Sequence, residues 1–215
     1  MTDPVPWLDR LAHDLRGPLT PLQTAVYLLR SGQVTPERQQ ELFILIERQT
    51  RQLVAMIDEL GDWTRVTQHR LVGPSEPCDL ALLLDYARAN SGPVGASAIL
   101  EQHADGVMVP GDPVRLTQML RILLEYLGTR SQAPVTVSMR ADDMRFQIGM
   151  HGDATADPQQ VPALFEQPES DPFDHGLGLR LLVAKAIAEA HHGTLVANVE
   201  DERLVFRCEL PLRAG

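Results

Sequence analysis

Leu11-Ala12-His13-Asp14-Leu15-Arg16-Gly17-Pro18-Leu19 is the stretch from which the rest of the chain is read. It lies in a segment whose apolar residues recur three and four apart, at Leu8, Leu11, Leu15, Pro18, Leu22, Ala25 and Leu29. That spacing is the seam of a packed amphipathic helix. On the same wheel His13 falls opposite the seam and is expected to face water, where it fills no core. A neutral imidazole is a nitrogen nucleophile, and a carboxylate on its other ring N–H fixes the tautomer and offsets charge as the ring is attacked. Asp14 is placed for this role, and Arg16 to reach the oxygens of a phosphoryl group on His13. Gly17 removes bulk beside the ring. Pro18 has no N–H for the carbonyl of Asp14, so the helix is expected to bend or loosen just below the histidine. Singly these residues suit a surface histidine on a kinked helix; their order together points to chemistry.

Working outward, the first helix is expected to begin near Pro4–Trp7 and to stop before Ser31-Gly32. Thr35-Pro36-Glu37 reads as an N-cap with proline in the first turn of a second helix. Its stripe is Leu42, Ile46, Gln49, Leu53, Met56, Leu60 and Trp63. Two long helices and a short turn make an antiparallel hairpin whose stripes are too extensive to bury alone. A four-helix bundle formed by dimerisation, held around Leu22, Ala25, Leu29, Leu42 and Ile46, resolves this; the alternative is packing on the rest of the same chain. Thr20 and Tyr27 follow His13 at intervals of seven, with Gln23 and Thr24 between them. With Gly17, this neutral stripe and its aromatic anchor form a candidate partner-binding patch. The alternative is that Tyr27 tucks against its own second helix.

The chain has 215 residues, 44% hydrophobic and 22% charged, with a formal net charge of −10. No basic stripe is present, which argues against nucleic acid as a partner. No run approaches the ~20 apolar residues of a membrane span, and the N-terminus lacks the basic and apolar regions of a signal peptide. Cys78 and Cys208 follow no metal spacing, so no metal site and a reduced, cytoplasmic setting are expected. Val72-Gly73-Pro74-Ser75-Glu76-Pro77 breaks the helical pattern and reads as a linker between a hairpin domain over 1–71 and a second domain over 78–215.

Beyond the linker the pattern is mixed. Helices are expected at Leu80–Ala89, from an Asp112-Pro113 cap through Leu127, and at Gly178–His191. Strands are expected at Ala98–Gln102, Val107–Val109, Val135–Arg140 and Met144–Met150, then as a last hairpin of Thr194–Val199 and Arg203–Leu210. The fold class is α+β: an N-terminal antiparallel helical hairpin followed by an α/β sandwich with helices on one face of a mixed sheet.

His-Asp-Leu-Arg-Gly-Pro-Leu resembles the phospho-accepting H-box of sensor histidine kinases, and the second half resembles, in order and spacing, their ATP-binding domain. Val109-Pro110-Gly111-Asp112-Pro113-Val114-Arg115-Leu116-Thr117-Gln118 looks like the approach to the N-box helix. Leu164-Phe165-Glu166 resembles the F-box, Gly176-Leu177-Gly178-Leu179 the second glycine box, and His191-His192-Gly193-Thr194-Leu195 the turn into the last hairpin. The departures fall on nucleotide-binding positions. Glu125 stands where the resemblance implies a magnesium-holding asparagine, Gly128 where a basic residue follows, and Arg121 at an earlier asparagine position. Met150 stands for the adenine-reading aspartate, with Asp153 as a possible substitute; Gly152 survives, Ala154 replaces the next glycine, and Asp174 aligns with a glycine near the triphosphate. Gly152, Gly176 and Gly178 are thus expected as remnants of a nucleotide site.

The resemblance implies a two-component protein in which His13 is the nucleophile, Asp14 orients it and Arg16 steadies the transferring oxygens. The leading expectation is a homodimeric, kinase-like phosphorelay protein that exchanges a phosphoryl group with receiver-domain aspartates. It would hold no tightly bound cofactor, take Mg²⁺ from the receiver, use no ATP, and have an upstream hybrid kinase as a further partner. One alternative is an ATP-dependent sensor kinase core that autophosphorylates His13. Another is a non-catalytic dimer that regulates a kinase or receiver. Gly17, four residues after the histidine, makes phosphatase activity doubtful, because kinases with that activity often carry Thr or Asn there.

Overall fold

The computed structural model describes the backbone of residues 7–102, 106–170, 172 and 176–213, and their side chains apart from 7–10, 12 and 102. The chain divides into two compact units. One takes the chain as far as Asp62 together with Glu169–Leu179; the other takes Trp63–Pro168 and everything from Arg180.

The first unit is built on α1 (Trp7–Ser31) and α2 (Pro36–Thr67). α1 runs unbroken through Pro18 and Pro21, so the expected loosening below His13 does not interrupt the helix. Pro18 lies buried on the seam, where its ring adds to the apolar packing that keeps the helix going. α1 stops as read from the sequence: Gly32 takes a φ of +67°, and the Ser31 hydroxyl donates to the Leu28 carbonyl at 2.7 Å. Thr35 Oγ1 accepts from the Arg38 N–H at 3.3 Å and caps α2.

Pro18 and Ala25 are buried seven apart on α1, and Leu42, Gln49 and Met56 seven apart on α2. This heptad repeat is the seam of two helices lying side by side. Of the dimer seam expected from the sequence, it takes up Ala25 and Leu42, while Leu22, Leu29 and Ile46 stay partly exposed. Ala25 and Leu42 are 0% and 2% exposed within the single chain, so they have no surface left for a second copy. The most exposed apolar side chains of the two helices include Leu19, Val26, Phe43, Ile44, Val54 and Ile57. Leu8 belongs to the expected seam, but its side chain lies outside the described residues.

The second unit carries β1 (Glu76–Asp79), α3 (Leu80–Ala89), α4 (Gly92–Ser97), β2 (Ile99–Gln102), β3 (Met108–Gly111), α5 (Pro113–Arg130), β4 (Thr136–Ala141) and β5 (Arg145–Thr155). A 3₁₀ turn at Val161–Phe165 follows, then α6 (Arg180–Ala190), β6 (Thr194–Glu200) and β7 (Arg203–Pro211). A five-stranded sheet runs β2-β4-β5-β7-β6, parallel between β2 and β4 and antiparallel elsewhere. β1 and β3 form a separate antiparallel pair. The linker reading is therefore too long by its last two residues, since Glu76 and Pro77 begin β1. Proline is tolerated there because a two-stranded pair leaves edge positions without a partner N–H.

The core lies between the sheet and the helices α3, α5 and α6. α5 buries Leu116, Met119, Leu120, Leu123, Leu124 and Leu127, and the Asp112 side chain caps it by accepting from the N–H of Val114 and Arg115. Phe206 of β7 meets Tyr126 of α5 and Phe165 of the 3₁₀ turn, at centroid distances of 5.5 and 5.6 Å. β5 extends five residues beyond the expected Met150. Its alternation continues through buried Gly152 and Ala154, whose small side chains hide the strand pattern in the sequence.

Candidate functional site

His13 sits on the outer face of α1 with its side chain 87% exposed. Its Nδ1 lies 3.2 Å from Asp14 Oδ1. A carboxylate only accepts, so Nδ1 carries the proton and the Nε2 lone pair is left on the exposed side of the ring. Asp14 is itself half-buried, which holds the imidazole in one orientation. Arg16 is exposed about 4.5 Å further along the helix axis. The three residues expected to carry the chemistry are thus together on one exposed helical turn.

Gly17 has an instructive environment. A Cβ built there meets nothing within 4 Å, so no packing in this chain requires glycine. Mid-helix glycine costs about 1 kcal/mol relative to alanine. Thr20, Gln23, Thr24 and Tyr27 continue the exposed stripe, with the Thr24 hydroxyl donating to the Thr20 carbonyl at 3.0 Å. Tyr27 is 74% exposed, which overturns the reading that it tucks against α2.

The first unit also holds the loop Gly176-Leu177-Gly178-Leu179, all four residues buried. Gly178 takes a φ of +75°, and a Cβ there would lie 2.4 Å from the Glu169 carbonyl oxygen. The Glu169 N–H donates to the Gly178 carbonyl at 3.0 Å and straps the loop. The Leu177 and Leu179 N–H groups donate to the Glu59 carboxylate, at 3.2 and 3.0 Å to the same oxygen. Helix α6 therefore starts at Arg180, two residues later than expected, because the loop's amides turn to Glu59 instead of opening the helix. Asp174, the other expected departure in this region, lies outside the described residues.

In the second unit several of the altered nucleotide positions have a structural partner. The Glu125 carboxylate is ion-paired with the Arg180 guanidinium, and Arg121 Nε lies 4.0 Å from its other oxygen. At Gly128 a Cβ would fall 2.0 Å from Val94 Cγ1, so the approach of α4 to α5 excludes a side chain where a basic residue was expected. Met150 is 1% exposed and belongs to the core. Asp153 accepts from the Ser131 hydroxyl and from the Gln132 N–H at 2.7 Å, clasping the end of α5. Those bonds, the Ser131 hydroxyl's first among them, hold its pKa below the usual carboxylate range. Both bonds go to Oδ1, so this oxygen of Asp153 is taken up by the clasp. Gly152 faces the same clasp, since a Cβ there would meet Ser131 Oγ at 2.4 Å.

The sequence reading missed Glu59, Arg180, Ser131 and α4. Glu59 had one signal: a carboxylate three residues after Met56 and four before Trp63, in register with the packed stripe of α2.

Residues 7–69 match the profile of the His Kinase A (phospho-acceptor) domain. Over 95% of its length the chain is 23% identical to the sensory histidine kinase/phosphatase NtrB of Rhodobacter capsulatus, covering 61% of that protein. It is 28% identical to the sensor histidine kinase TrcS of Mycobacterium tuberculosis, with 94% of this chain and 42% of the relative covered. The chain therefore spans less than two thirds of the curated relatives it matches. Among solved structures, the fold superposes on the Acinetobacter baumannii histidine kinase AdeS with a TM-score of 0.73 at 21% identity, covering 94% of this chain and 98% of that one. The histidine kinase ThkA, solved in complex with the response regulator protein TrrA, gives a TM-score of 0.76 at 16% identity, with 96% and 61% covered.

Proposed function

We infer that this chain, a sensor histidine kinase core by family and by fold, is the phosphotransfer part of a two-component system, with a hairpin domain over 1–71 and an ATPase-like domain over 78–215. The observation that carries this reading is the exposed His13 ring with Nδ1 on Asp14. The Nε2 lone pair attacks phosphorus, an N–P bond forms, and the P–O bond to the leaving oxygen breaks with its electron pair going to that oxygen. Asp14 offsets the charge that develops on the imidazole, and Arg16 pairs with the phosphoryl oxygens. Transfer onward to an aspartate of a response-regulator receiver is the same exchange run from phosphohistidine. Gly17 and the Thr20, Gln23, Thr24, Tyr27 stripe form the face along which a receiver approaches.

The phosphoryl donor has two readings. The sensor kinases among the relatives support ATP-dependent autophosphorylation of His13. The second unit supports the other reading, in which a receiver's aspartyl phosphate charges His13. Three of the residues at the nucleotide positions are otherwise engaged, which supports this reading. Glu125 is engaged by Arg180, Met150 is in the core, and Gly128 leaves no room for a basic side chain. No step is therefore drawn through ATP, and the chemistry at His13 is the same for either donor. Mixing the protein with labelled ATP and Mg²⁺, and separately with a receiver charged from labelled acetyl phosphate, distinguishes the two. Label from ATP establishes the kinase; label from the receiver alone establishes the relay.

A further inference from the structure

We propose that the Glu59 carboxylate is a built-in plug on the backbone amides of the Gly176-Leu177-Gly178-Leu179 loop, an autoinhibitory contact that a phosphate-type anion must displace. The proposal rests on the kinase-core reading, which assigns this loop to phosphates.

Glu59 lies on α2, and its loop partners are 118 and 120 residues away in sequence. Its side chain is buried, with the residue 7% exposed, on a helix face where Met56 and a second carboxylate, Asp62, are buried too. A carboxylate there gains nothing from apolar packing and carries a desolvation cost, so its value lies in its polar partners. Two of these are the N–H groups of Leu177 and Leu179, both within 3.2 Å of one oxygen, while the other oxygen is 3.3 Å from Leu177 N.

Alternate N–H groups converge on one point because Gly178 between them has φ +75°, the left-handed turn of an anion-binding nest. That shape is enforced, since a Cβ at Gly178 would strike the backbone of Glu169. The loop is thus a preformed anion cradle, and the anion in it belongs to the protein. A phosphate group offers these N–H donors more charge and more acceptor oxygens than a carboxylate does. Binding such an anion requires Glu59 to leave, and any force that withdraws α2 opens the cradle.

The test uses the full chain and inorganic pyrophosphate. Calorimetry on wild type, Glu59→Gln and Glu59→Ala is expected to show at least tenfold tighter pyrophosphate binding by Glu59→Ala, with Glu59→Gln between. The ¹⁵N-amide resonances of Leu177 and Leu179 should shift with pyrophosphate in Glu59→Gln at concentrations that leave wild type unmoved. Glu59→Gln has nearly the same volume and keeps one acceptor, so it decides the matter if Glu59→Ala fails to fold. Equal affinities in folded variants, or tighter binding without movement of those two amides, overturn the plug and leave Glu59 a structural tie. That outcome does not touch the proposed function, which is read separately from label on His13.

Discussion

Glu125 of α5 and Arg180 of α6 are ion-paired, each side chain 19% exposed. The position at which the family resemblance implies a magnesium ligand thus holds half of a structural clamp that ties two core helices. Removing one member leaves the other charge half-buried, whereas neutralising both leaves none. Arg180→Met is expected to destabilise the second unit by roughly 1–3 kcal/mol in urea unfolding. In a double-mutant cycle Glu125→Gln should restore part of that loss, giving a coupling of about 1 kcal/mol or more. Additive losses would show that the pair contributes nothing beyond its separate side chains.

Gly17 is exposed, helical and free of neighbours, so Gly17→Ala should raise the stability of the hairpin by up to ~1 kcal/mol. The same substitution should slow phosphoryl exchange between His13 and a receiver, because the added methyl stands where the partner approaches. A stabilised hairpin with an unchanged transfer rate would remove Gly17 from the docking face.

Tyr27 is expected to act as an anchor of that face at ~21 Å from His13 along the helix. Tyr27→Ala should lower the transfer rate at subsaturating receiver while leaving helix content and oligomeric state unchanged. Rates equal to wild type would place docking elsewhere.

The open apolar side chains place the expected dimer contact at Val54 and Ile57, three residues apart and 53% and 60% exposed, instead of at Ala25 and Leu42. Ile57→Glu should shift the protein from dimer to monomer by light scattering at tens of micromolar without loss of helicity. A wild type that is already monomeric there contradicts the dimer.

Asp112 gives a pH dependence. Burial raises its pKa, but the N–H groups of Gly73, Arg115 and Val114 and the charge of Arg115 outweigh this and hold it below its ordinary value. The folded form binds its proton less readily than the unfolded form, whose value is about 3.9. Its contribution is therefore fully present above that value and is lost as pH falls through the folded pKa. Asp112→Asn keeps a capping oxygen and should flatten the acid limb of stability below about pH 4. Asp112→Ala should cost about 1 kcal/mol at neutral pH.

Much of this architecture is legible in the sequence because it is local. The period of the α1 and α2 stripes, the Thr35 and Asp112 caps and the Asp142 turn all follow from residues close together in the chain. The Asp142 carboxylate accepts from the N–H groups of Met144 and Arg145 at 2.8 and 2.7 Å and so closes the turn between β4 and β5 from residues within three positions. His13, Asp14 and Arg16 were legible for the same reason, since one helical turn assembles them.

What the sequence concealed depends on distant partners. Glycine at Gly128 reads as a lost basic residue until α4 is seen against it, and α4 itself is a run of small residues with no periodicity. Gly152 reads as a nucleotide remnant until Ser131 is seen where its side chain would be. Heptad spacing marks Ala25 and Leu42 as contact residues without saying whether the contact is within one hairpin or between two.

The central claim is that His13 carries the phosphoryl group. The direct measurement is the chemical stability and residue dependence of label on the protein after exposure to labelled ATP with Mg²⁺ and to a labelled phospho-receiver. The account predicts label that is lost in acid and kept in base, as an N–P bond requires, present in wild type with at least one donor and absent in His13→Ala. Asp14→Asn should reduce its rate of formation by roughly tenfold to a hundredfold. Label that survives acid, or that persists in His13→Ala, contradicts it.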